Sequence, residues 1–211
     1  MLARLLFDGK KSDMTAGEHR CFHKEVGHMI LRAVDRNDPE ELSRIQAVYE
    51  TSFPREERAP FSLLCKRVRQ RRAEMYSFWH ENQWCGMVYM VTYQDLAYVF
   101  YFVIDTAQRG HGLGTQAIAA LLDKYRNGRL FLALEDWREP CDNLEQRLKR
   151  HRFYQNCGLE DLPYYIKEAS VVYAIMGKGG KIEPEEYRAL MNRYMGFWMR
   201  HFIDMRMIKE R

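Results

Sequence analysis

The stretch Gln108-Arg-Gly-His-Gly-Leu-Gly114 follows an apolar run, Tyr98-Val-Phe-Tyr-Phe-Val-Ile104, and precedes the helix-like run Thr115-Gln-Ala-Ile-Ala-Ala-Leu-Leu122. Glycines allow the main chain to adopt positive φ and to approach a ligand closely. The start of a helix offers unpaired N–H groups and about half a unit of positive charge. A strand, a glycine-rich turn and a helix in this order therefore predict an anion-binding site that suits the pyrophosphate of a cofactor.

Apolar periodicity on both sides of this turn predicts an α/β fold. The predicted strands span residues 28–34, 75–79, 85–92, 97–104, 130–134, 162–167 and 171–176, and the predicted helices span residues 38–53, 60–70, 112–125, 142–156 and 184–208. Hairpins and helical crossovers both occur in this order. The pattern therefore predicts a mixed, mostly antiparallel sheet of about seven strands flanked by helices, with an extra C-terminal helix.

Three segments are predicted along the chain. They are an N-terminal extension at residues 1–27, an α/β domain at residues 28–178 and a C-terminal helical extension at residues 179–211. The C-terminal helix carries an aromatic stripe, which indicates packing against the core or a contact in a homodimer. A length of 211 residues suits one domain with such additions.

Composition narrows the function classes. The net charge of +4 favours anionic ligands such as nucleotide cofactors, and it is too small to make nucleic acid the expected partner. No apolar run approaches the roughly 18 residues of a membrane-spanning helix, so no membrane association is expected. The five cysteines have no metal-ligand spacing and follow no secretory signal, which predicts reduced thiols, a cytoplasmic location and no metal site.

Two motifs resemble those of the GNAT family of N-acetyltransferases. The family's acyl-CoA-binding pattern, Gln/Arg-x-x-Gly-x-Gly/Ala, is matched by Arg109-Gly-His-Gly-Leu-Gly114. Arg152-Phe-Tyr-Gln-Asn-Cys-Gly-Leu159 resembles the family's Phe-Tyr-x-x-x-Gly-Phe segment at the end of the fourth helix, with a leucine in place of the last phenylalanine. Thr106 stands where a proline is common. The order of predicted elements is also that of the family, and the resemblance covers roughly residues 28–176.

The resemblance implies the acyl-CoA N-acyltransferase fold, in which the fourth and fifth strands are parallel neighbours that separate to form a slot. Acetyl-CoA would enter as co-substrate, with its pantetheine hydrogen-bonded to the main chain near Val103 and Ile104. Asn143 would contact the pantetheine arm. The pyrophosphate would lie on main-chain N–H groups of the turn and of the following helix, namely those of Arg109, Gly110, His111, Gly112, Leu113, Gly114 and Thr115.

The implied activity is transfer of an acetyl group from acetyl-CoA to a primary amine, an acyltransferase reaction of the EC 2.3.1 type. The amine would attack directly, through a tetrahedral intermediate and without a covalent enzyme. The sequence does not identify the acceptor, which could be a small molecule or a peptide. By the resemblance, Tyr154 matches the family position of the acid that protonates the leaving thiolate. A phenol with a pKa of about 10 is also protonated at neutral pH, as this role requires. The alternative is a packed aromatic residue whose hydroxyl bonds to the main chain.

The general base is less evident, since the fourth strand carries no acid before Asp105. Glu135, just after the fifth strand, is the best substitute, because strand ends in α/β sheets face the ligand crevice. A solvated loop charge is an equal alternative for Glu135. Glu56 and Glu57, after the first helix, are weaker candidates. The acidic loop at residues 135–145 could favour a cationic amine, or it could be a solvated loop with acids at a helix start.

Three other functions are alternatives to acetyl transfer. A non-catalytic acyl-CoA-binding module stays open because the fourth strand lacks an acid. A dinucleotide-dependent oxidoreductase is disfavoured, because Gly110-His-Gly-Leu-Gly114 lacks the Gly-x-Gly-x-x-Gly spacing. The basic run at residues 66–72 could bind nucleic acid, but its interleaved apolar residues favour a helix with a solvated charged face.

Overall fold

The structure is a computed structural model that describes residues 28–168, 171–199 and 205–208. The strands are β1 (Met29–Ala33), β2 (Glu74–His80), β3 (Gln83–Tyr93), β4 (Leu96–Ile104), β5 (Arg129–Glu135), β6 (Glu160–Glu168), β7 (Val171–Lys178) and β8 (Met205–Ile208). The helices are α1 (Pro39–Ser52), α2 (Phe61–Arg69), α3 (Leu113–Lys124), α4 (Leu144–Asn156) and α5 (Pro184–Met199). Short 3₁₀ turns cover Arg55–Glu57 and Thr106–Gln108. The predicted N-terminal extension, residues 1–27, lies outside the described residues.

The strands form one eight-stranded sheet in the order β1-β2-β3-β4-β5-β7-β6-β8. Only the β4–β5 pair is parallel among the described strands; the other pairs are antiparallel. Helix α3 makes the crossover between the parallel strands, as a parallel connection requires. The predicted fold, a mixed and mostly antiparallel sheet flanked by helices, is confirmed.

Helices cover both faces of the sheet, which explains why every residue of β4 is buried. One buried cluster contains residues of α1, α2 and α5, and the other contains residues of α3 and α4. Helix α1 begins as its sequence predicts: the Asp38 carboxylate accepts the N–H groups of Glu40 and Glu41, and Pro39 occupies the first helical position. Its buried residues Ile45 and Tyr49 face the first cluster.

The C-terminal part of the chain differs from its prediction. The predicted helix to residue 208 is wrong, because α5 ends at Met199 and residues 205–208 form β8, which pairs with β6. Within α5, Gly196 has a non-helical conformation with φ of 73°. A Cβ at this position would overlap the guanidinium of Arg72, which follows α2 in the chain, so the Arg72 side chain lies directly against the break. The added strand brings the sheet from about seven predicted strands to eight.

The basic run does not form a wholly solvated face. Arg67 is buried, and its guanidinium donates to the carbonyl of Met195 at 2.6 Å and to Gln70 at 2.9 Å. The neighbouring Lys66 and Arg69 are exposed, as predicted for the solvated side of the helix. One charge of the run therefore fastens α2 to the end of α5.

Candidate active site

The parallel strands β4 and β5 pair only over their first residues. The pairing runs from Leu96–Arg129 to Val99–Leu132, and it does not continue along the described residues 100–104 and 133–135. Each strand remains paired on its outer side, β4 with β3 up to Ile104 and β5 with β7 up to Glu135. The two strands therefore separate toward their carboxyl ends and leave a slot between them.

A β-bulge marks the place where the strands separate. In the β3–β4 register Tyr89 faces Tyr101 and Met90 faces Val99, which leaves Phe100 as an extra residue on β4. A bulge bends its strand and increases the local twist. Because Phe100 directly follows the last residue that pairs with β5, the bulge accounts for the start of the slot.

Main-chain polar groups of β4 face the slot. The N–H of Asp105 donates to the carbonyl of Cys85 at 2.8 Å, which makes these two residues a hydrogen-bonded pair. Such pairs alternate along an antiparallel ladder, so Val103 bonds toward β3, while Phe102 and Ile104 direct their N–H and C=O groups away from it. The Ile104 carbonyl accepts the Nε–H of Arg109 at 3.1 Å. The groups facing the slot therefore belong to Ile104 and Phe102 rather than to Val103.

The glycine-rich turn presents a row of main-chain donors. Gly110 and Gly112 have φ of 86° and 73°, and Gly112 is the N-cap of α3. The N–H of Arg109 contacts the Thr106 carbonyl at 3.4 Å. Among the described residues, none accepts a hydrogen bond from the N–H groups of residues 110–115. A Cβ on either glycine would meet nothing within 4 Å, so the space beside both glycines is open.

The side chains of the predicted cofactor-binding residues around this turn differ in burial and in contacts. His111 is exposed, and Leu113 is buried beneath the first turn of α3. Thr115 lies beside the Cys157 thiol; burial raises the pKa of this thiol, and Thr115 opposes the rise. Asn143 occupies the N-cap position of α4 without a capping hydrogen bond from its side chain, so its amide is not used to start the helix.

Tyr154 on α4 is wholly buried, in the same cluster as Ile104 of β4 and Leu113 of α3. Its hydroxyl has no hydrogen-bond partner within the described part of the chain. Burial raises the pKa of Tyr154, and the nearby Arg150 charge opposes that rise. The phenol is therefore protonated at neutral pH, and its hydroxyl is not bonded to a described main-chain group.

Glu135 is held at the end of β5 by two arginines of α4. Its Oε1 accepts Nη2–H of Arg147 at 3.2 Å, and its Oε2 accepts Nη2–H of Arg150. Arg147 also donates to the carbonyl of Asp136 at 3.0 Å. Since both oxygens of Glu135 accept from guanidinium groups, this geometry favours an anchor between β5 and α4. It differs from a loop charge in solvent, one of the two roles that the sequence left open.

The acidic loop around Glu135 is largely neutralised. Asp136 is buried, and its carboxylate accepts the main-chain N–H of Arg138 at 2.8 Å. Glu145 pairs with Lys149 at 2.8 Å. Glu135, Asp136 and Glu145 are therefore each bound by a cation or a main-chain donor. For these three residues the pairing favours a structural role over attraction of a cationic amine.

Tyr101 borders the separated half of β4 and has a structural role that sequence reasoning missed. It follows the bulge, and its hydroxyl donates to the carbonyl of Glu57 at 3.1 Å and accepts the N–H of Ala59 at 3.2 Å. Tyr49 of α1 donates to the carbonyl of Ala59 at 3.0 Å. These bonds fix the loop between α1 and α2 beside the separated half of β4. A tyrosine inside an apolar strand was the available signal, since a buried hydroxyl requires a partner.

Three further properties of the described residues concern disulfides, metal sites and membrane-spanning helices. Cys65, Cys85, Cys141 and Cys157 are free thiols. Within the described ranges, His, Cys, Asp and Glu side chains nowhere gather in a group of three that could hold a metal ion. Each described helix is too short or too polar to cross a bilayer.

Comparison with known proteins gives a family match and a group of similar folds. The sequence profile of the acetyltransferase (GNAT) family matches residues 40–159. Among curated proteins, no sequence matches this chain. A GNAT-family protein from Bacteroides thetaiotaomicron has a similar structure with a TM-score of 0.65 and 19% identity, covering 78% of this chain and 94% of that one.

Two solved enzymes with printed activities also have similar folds. An aminoglycoside 6'-N-acetyltransferase complexed with coenzyme A aligns with a TM-score of 0.55 and 14% identity, over 73% of this chain and 99% of that one. The ribosomal-protein-S18-alanine N-acetyltransferase from Escherichia coli aligns with a TM-score of 0.52 and 13% identity, over 74% of this chain and 97% of that one. At these identities the likeness concerns the fold.

Proposed function

The chain belongs to the acetyltransferase (GNAT) family, and from this we propose that it transfers an acetyl group from acetyl-CoA to a primary amine. The main support is the slot between β4 and β5, which ends at a turn whose N–H groups from residue 110 to residue 115 have no acceptor in the described chain. A thioester on a long arm with a pyrophosphate at its other end fits both features. The acceptor is a small-molecule or peptide amine.

Acetyl-CoA would be held mainly by main-chain groups. The N–H groups of residues 110–115 and the partial positive charge at the start of α3 suit the pyrophosphate. The N–H of Ile104 and the polar groups of Phe102 would bond the pantetheine as a strand partner bonds its neighbour. Asn143, whose side chain is not used for capping, would contact the same arm.

Residues of this chain would perform two of the three tasks in thioester aminolysis, namely stabilisation of the oxyanion and protonation of the thiolate. The N–H of Ile104 faces the slot and would stabilise negative charge on the thioester oxygen as the amine attacks directly and the tetrahedral intermediate forms. The hydroxyl of Tyr154, buried and protonated, would donate its proton to the departing thiolate. The third task is removal of a proton from the amine. Because both oxygens of Glu135 accept hydrogen bonds from arginines, we assign Glu135 a positioning role and not the role of the base that removes this proton.

We place the acceptor beside the loop that joins α1 and α2. Tyr101 fastens this loop next to the open half of β4, so the Arg55–Glu57 turn borders the slot. Glu57 is half-buried in this turn and would offer its carboxylate to the acceptor. A carboxylate in this position suits a protonated amine that must lose a proton before it attacks.

Two measurements test the proposal and separate it from its alternative. Calorimetric titration with coenzyme A tests the cofactor assignment alone. Consumption of acetyl-CoA is then followed against a panel of small amines, amino acids, aminoglycosides and peptides. Coenzyme A binding with turnover on at least one amine supports the enzyme. Binding without turnover on any amine supports a non-catalytic acyl-CoA-binding module, and absence of binding contradicts both.

A further inference from the structure

Two buried side chains of α4, Tyr154 and Arg150, each carry one polar group without a hydrogen-bond partner in the described chain. Tyr154 is 0% exposed and Arg150 is 3% exposed. Neither the Tyr154 hydroxyl nor the Nε–H of Arg150 has a hydrogen-bond partner within residues 28–168, 171–199 and 205–208. The two residues are four positions apart on one helix, so their side chains lie on the same face, one turn from each other.

Arg150 keeps its charge in this interior. A guanidinium is not deprotonated in proteins, and a buried charge is costly unless it is paired. Its counter-ion is Glu135, whose Oε2 accepts from Nη2 of Arg150 and whose Oε1 is held by Arg147 at 3.2 Å. The ion pair with Glu135, at the end of β5, therefore fixes the positive charge of Arg150 near Tyr154.

We propose that Arg150, held by Glu135, is a positioning residue that stabilises the Tyr154 phenolate formed when this tyrosine protonates the leaving thiolate. The inference rests on the proposed function. The bond between the acetyl carbon and sulfur breaks and its electron pair stays on sulfur. The proton of the Tyr154 hydroxyl moves to sulfur, which yields a thiol and leaves a phenolate. The phenolate then takes the proton that the acceptor nitrogen loses, so the tyrosine is restored.

Arg150 is the charged group that acts on the Tyr154 phenol. From α4 itself, the titratable groups that act on the phenol are Arg150 and Cys157. Burial raises the pKa of the Cys157 thiol, so that group is neutral. From β4, β5 and α3, the members of the buried cluster around Tyr154 are apolar, including Ile104, Leu134 and Leu113. In such a medium a fixed charge acts more strongly than in water.

A double-mutant cycle on turnover tests the proposal. Arg150→Met is expected to lower kcat about 10-fold to 100-fold, with KM for acetyl-CoA unchanged, and Arg150→Lys is expected to recover most of the loss. In a Tyr154→Phe background, which has no phenolate to stabilise, Arg150→Met should change kcat by less than about 2-fold. Equal losses in both backgrounds would mean that Arg150 only supports the fold, and would overturn the proposal.

A second measurement does not need turnover. Difluorotyrosine, whose phenol is more acidic than that of tyrosine, is introduced at position 154, and its fluorine resonance is followed against pH. Loss of the charge in Arg150→Met should raise the midpoint by about one pH unit. If Arg150→Met does not fold, Arg150→Gln is used in its place. Its amide can still bond to Glu135, and it should raise the midpoint by a similar amount. An unchanged midpoint rejects the role of Arg150, whereas a raised midpoint in a protein that acetylates no amine rejects only the proposed function.

Discussion

Gly86 of β3 lies so close to Val103 of β4 that a Cβ at position 86 would overlap the Val103 carbonyl oxygen. Gly86 faces Ile104 in the register, so this approach occurs at the end of β4 that borders the slot. The first prediction concerns the addition of a methyl side chain at position 86. Gly86→Ala is expected to push the end of β4 away, to lower the free energy of unfolding by about 2–3 kcal/mol and to weaken coenzyme A binding about 10-fold.

Thermal unfolding and calorimetric titration measure these two effects. Gly158→Ala is the control for loss of a glycine, because its Cβ would meet only the Lys178 amine, at 3.7 Å. Its positive φ costs about 1–2 kcal/mol, but its coenzyme A affinity should match that of the wild type. A Gly86→Ala protein with wild-type affinity would show that the position of β4 does not matter for binding.

The second prediction tests the main-chain donors with one matched pair of variants. Thr115 lies in the first turn of α3, where an N–H has no helical acceptor and proline is tolerated. Thr115→Pro removes one of the proposed pyrophosphate donors and should weaken coenzyme A binding about 10-fold. Thr115→Ala loses the contact with Cys157 but keeps the N–H, so it should bind normally. Equal affinities for the two variants would exclude this N–H from the binding site.

The third prediction combines stability with turnover. Tyr154→Phe removes a buried hydroxyl that has no described partner, so the fold should keep or slightly gain stability. At the same time kcat should fall about 100-fold or more, because the leaving thiolate loses its proton donor. Tyr125→Phe is the control: it loses the 3.0 Å hydrogen bond to Glu74, so it should lower stability and leave kcat intact. Denaturant unfolding and steady-state kinetics separate these outcomes, and unchanged kcat in Tyr154→Phe would remove the acid role.

The fourth prediction concerns acid stability. Arg129 donates to Asp95 at 2.7 Å and to Glu186 at 2.6 Å, which joins the start of β5 to the β3–β4 turn and to α5. Hydrogen bonding to Arg129 holds the pKa of each carboxyl below its ordinary value. These carboxyls bind fewer protons in the folded state than in the unfolded state. Their stabilising effect is thus present above the unfolded pKa values and is lost as the pH falls through the folded ones.

Arg129→Gln should therefore lower the free energy of unfolding at neutral pH by about 1–2 kcal/mol, a modest figure because solvent screens the partly exposed Asp95. Below about pH 4.5 its stability should decline less steeply than that of the wild type. Arg126→Gln breaks the exposed pair with Asp123 and should have almost no effect at either pH. Parallel pH curves for wild type and Arg129→Gln would contradict this account.

The sequence was sufficient where local chemistry decides the structure. The capping carboxylate of Asp38 and the proline that follows it set the start of α1, and the positive-φ glycines Gly110 and Gly112 set the start of α3. These features depend on groups within a few residues of one another. The order of strands and helices followed from apolar periodicity for the same reason.

Long-range contacts decided what the sequence did not reveal. The break at Gly196 lies against Arg72 and next to the Met195 carbonyl that accepts from Arg67, and both arginines are remote in the chain. The apolar spacing continues through residues 205–208 and suits a helix as well as a strand. The ion pairs of Glu135 could not be foreseen, since arginines spaced along α4 are equally suited to solvent. The bulge at Phe100 has no signature in a uniformly apolar run, although it opens the slot.

The pairing of β8 with β6 has a consequence for handling this protein. Residues 205–208 satisfy the outer hydrogen-bonding groups of Tyr165 to Glu168, which would otherwise form a bare sheet margin. Such margins recruit strands from other molecules and lead to aggregation. A shortened protein that lacks the last strand would thus be prone to self-association, even though that strand lies four positions away from β4 in the sheet order and takes no part in the slot.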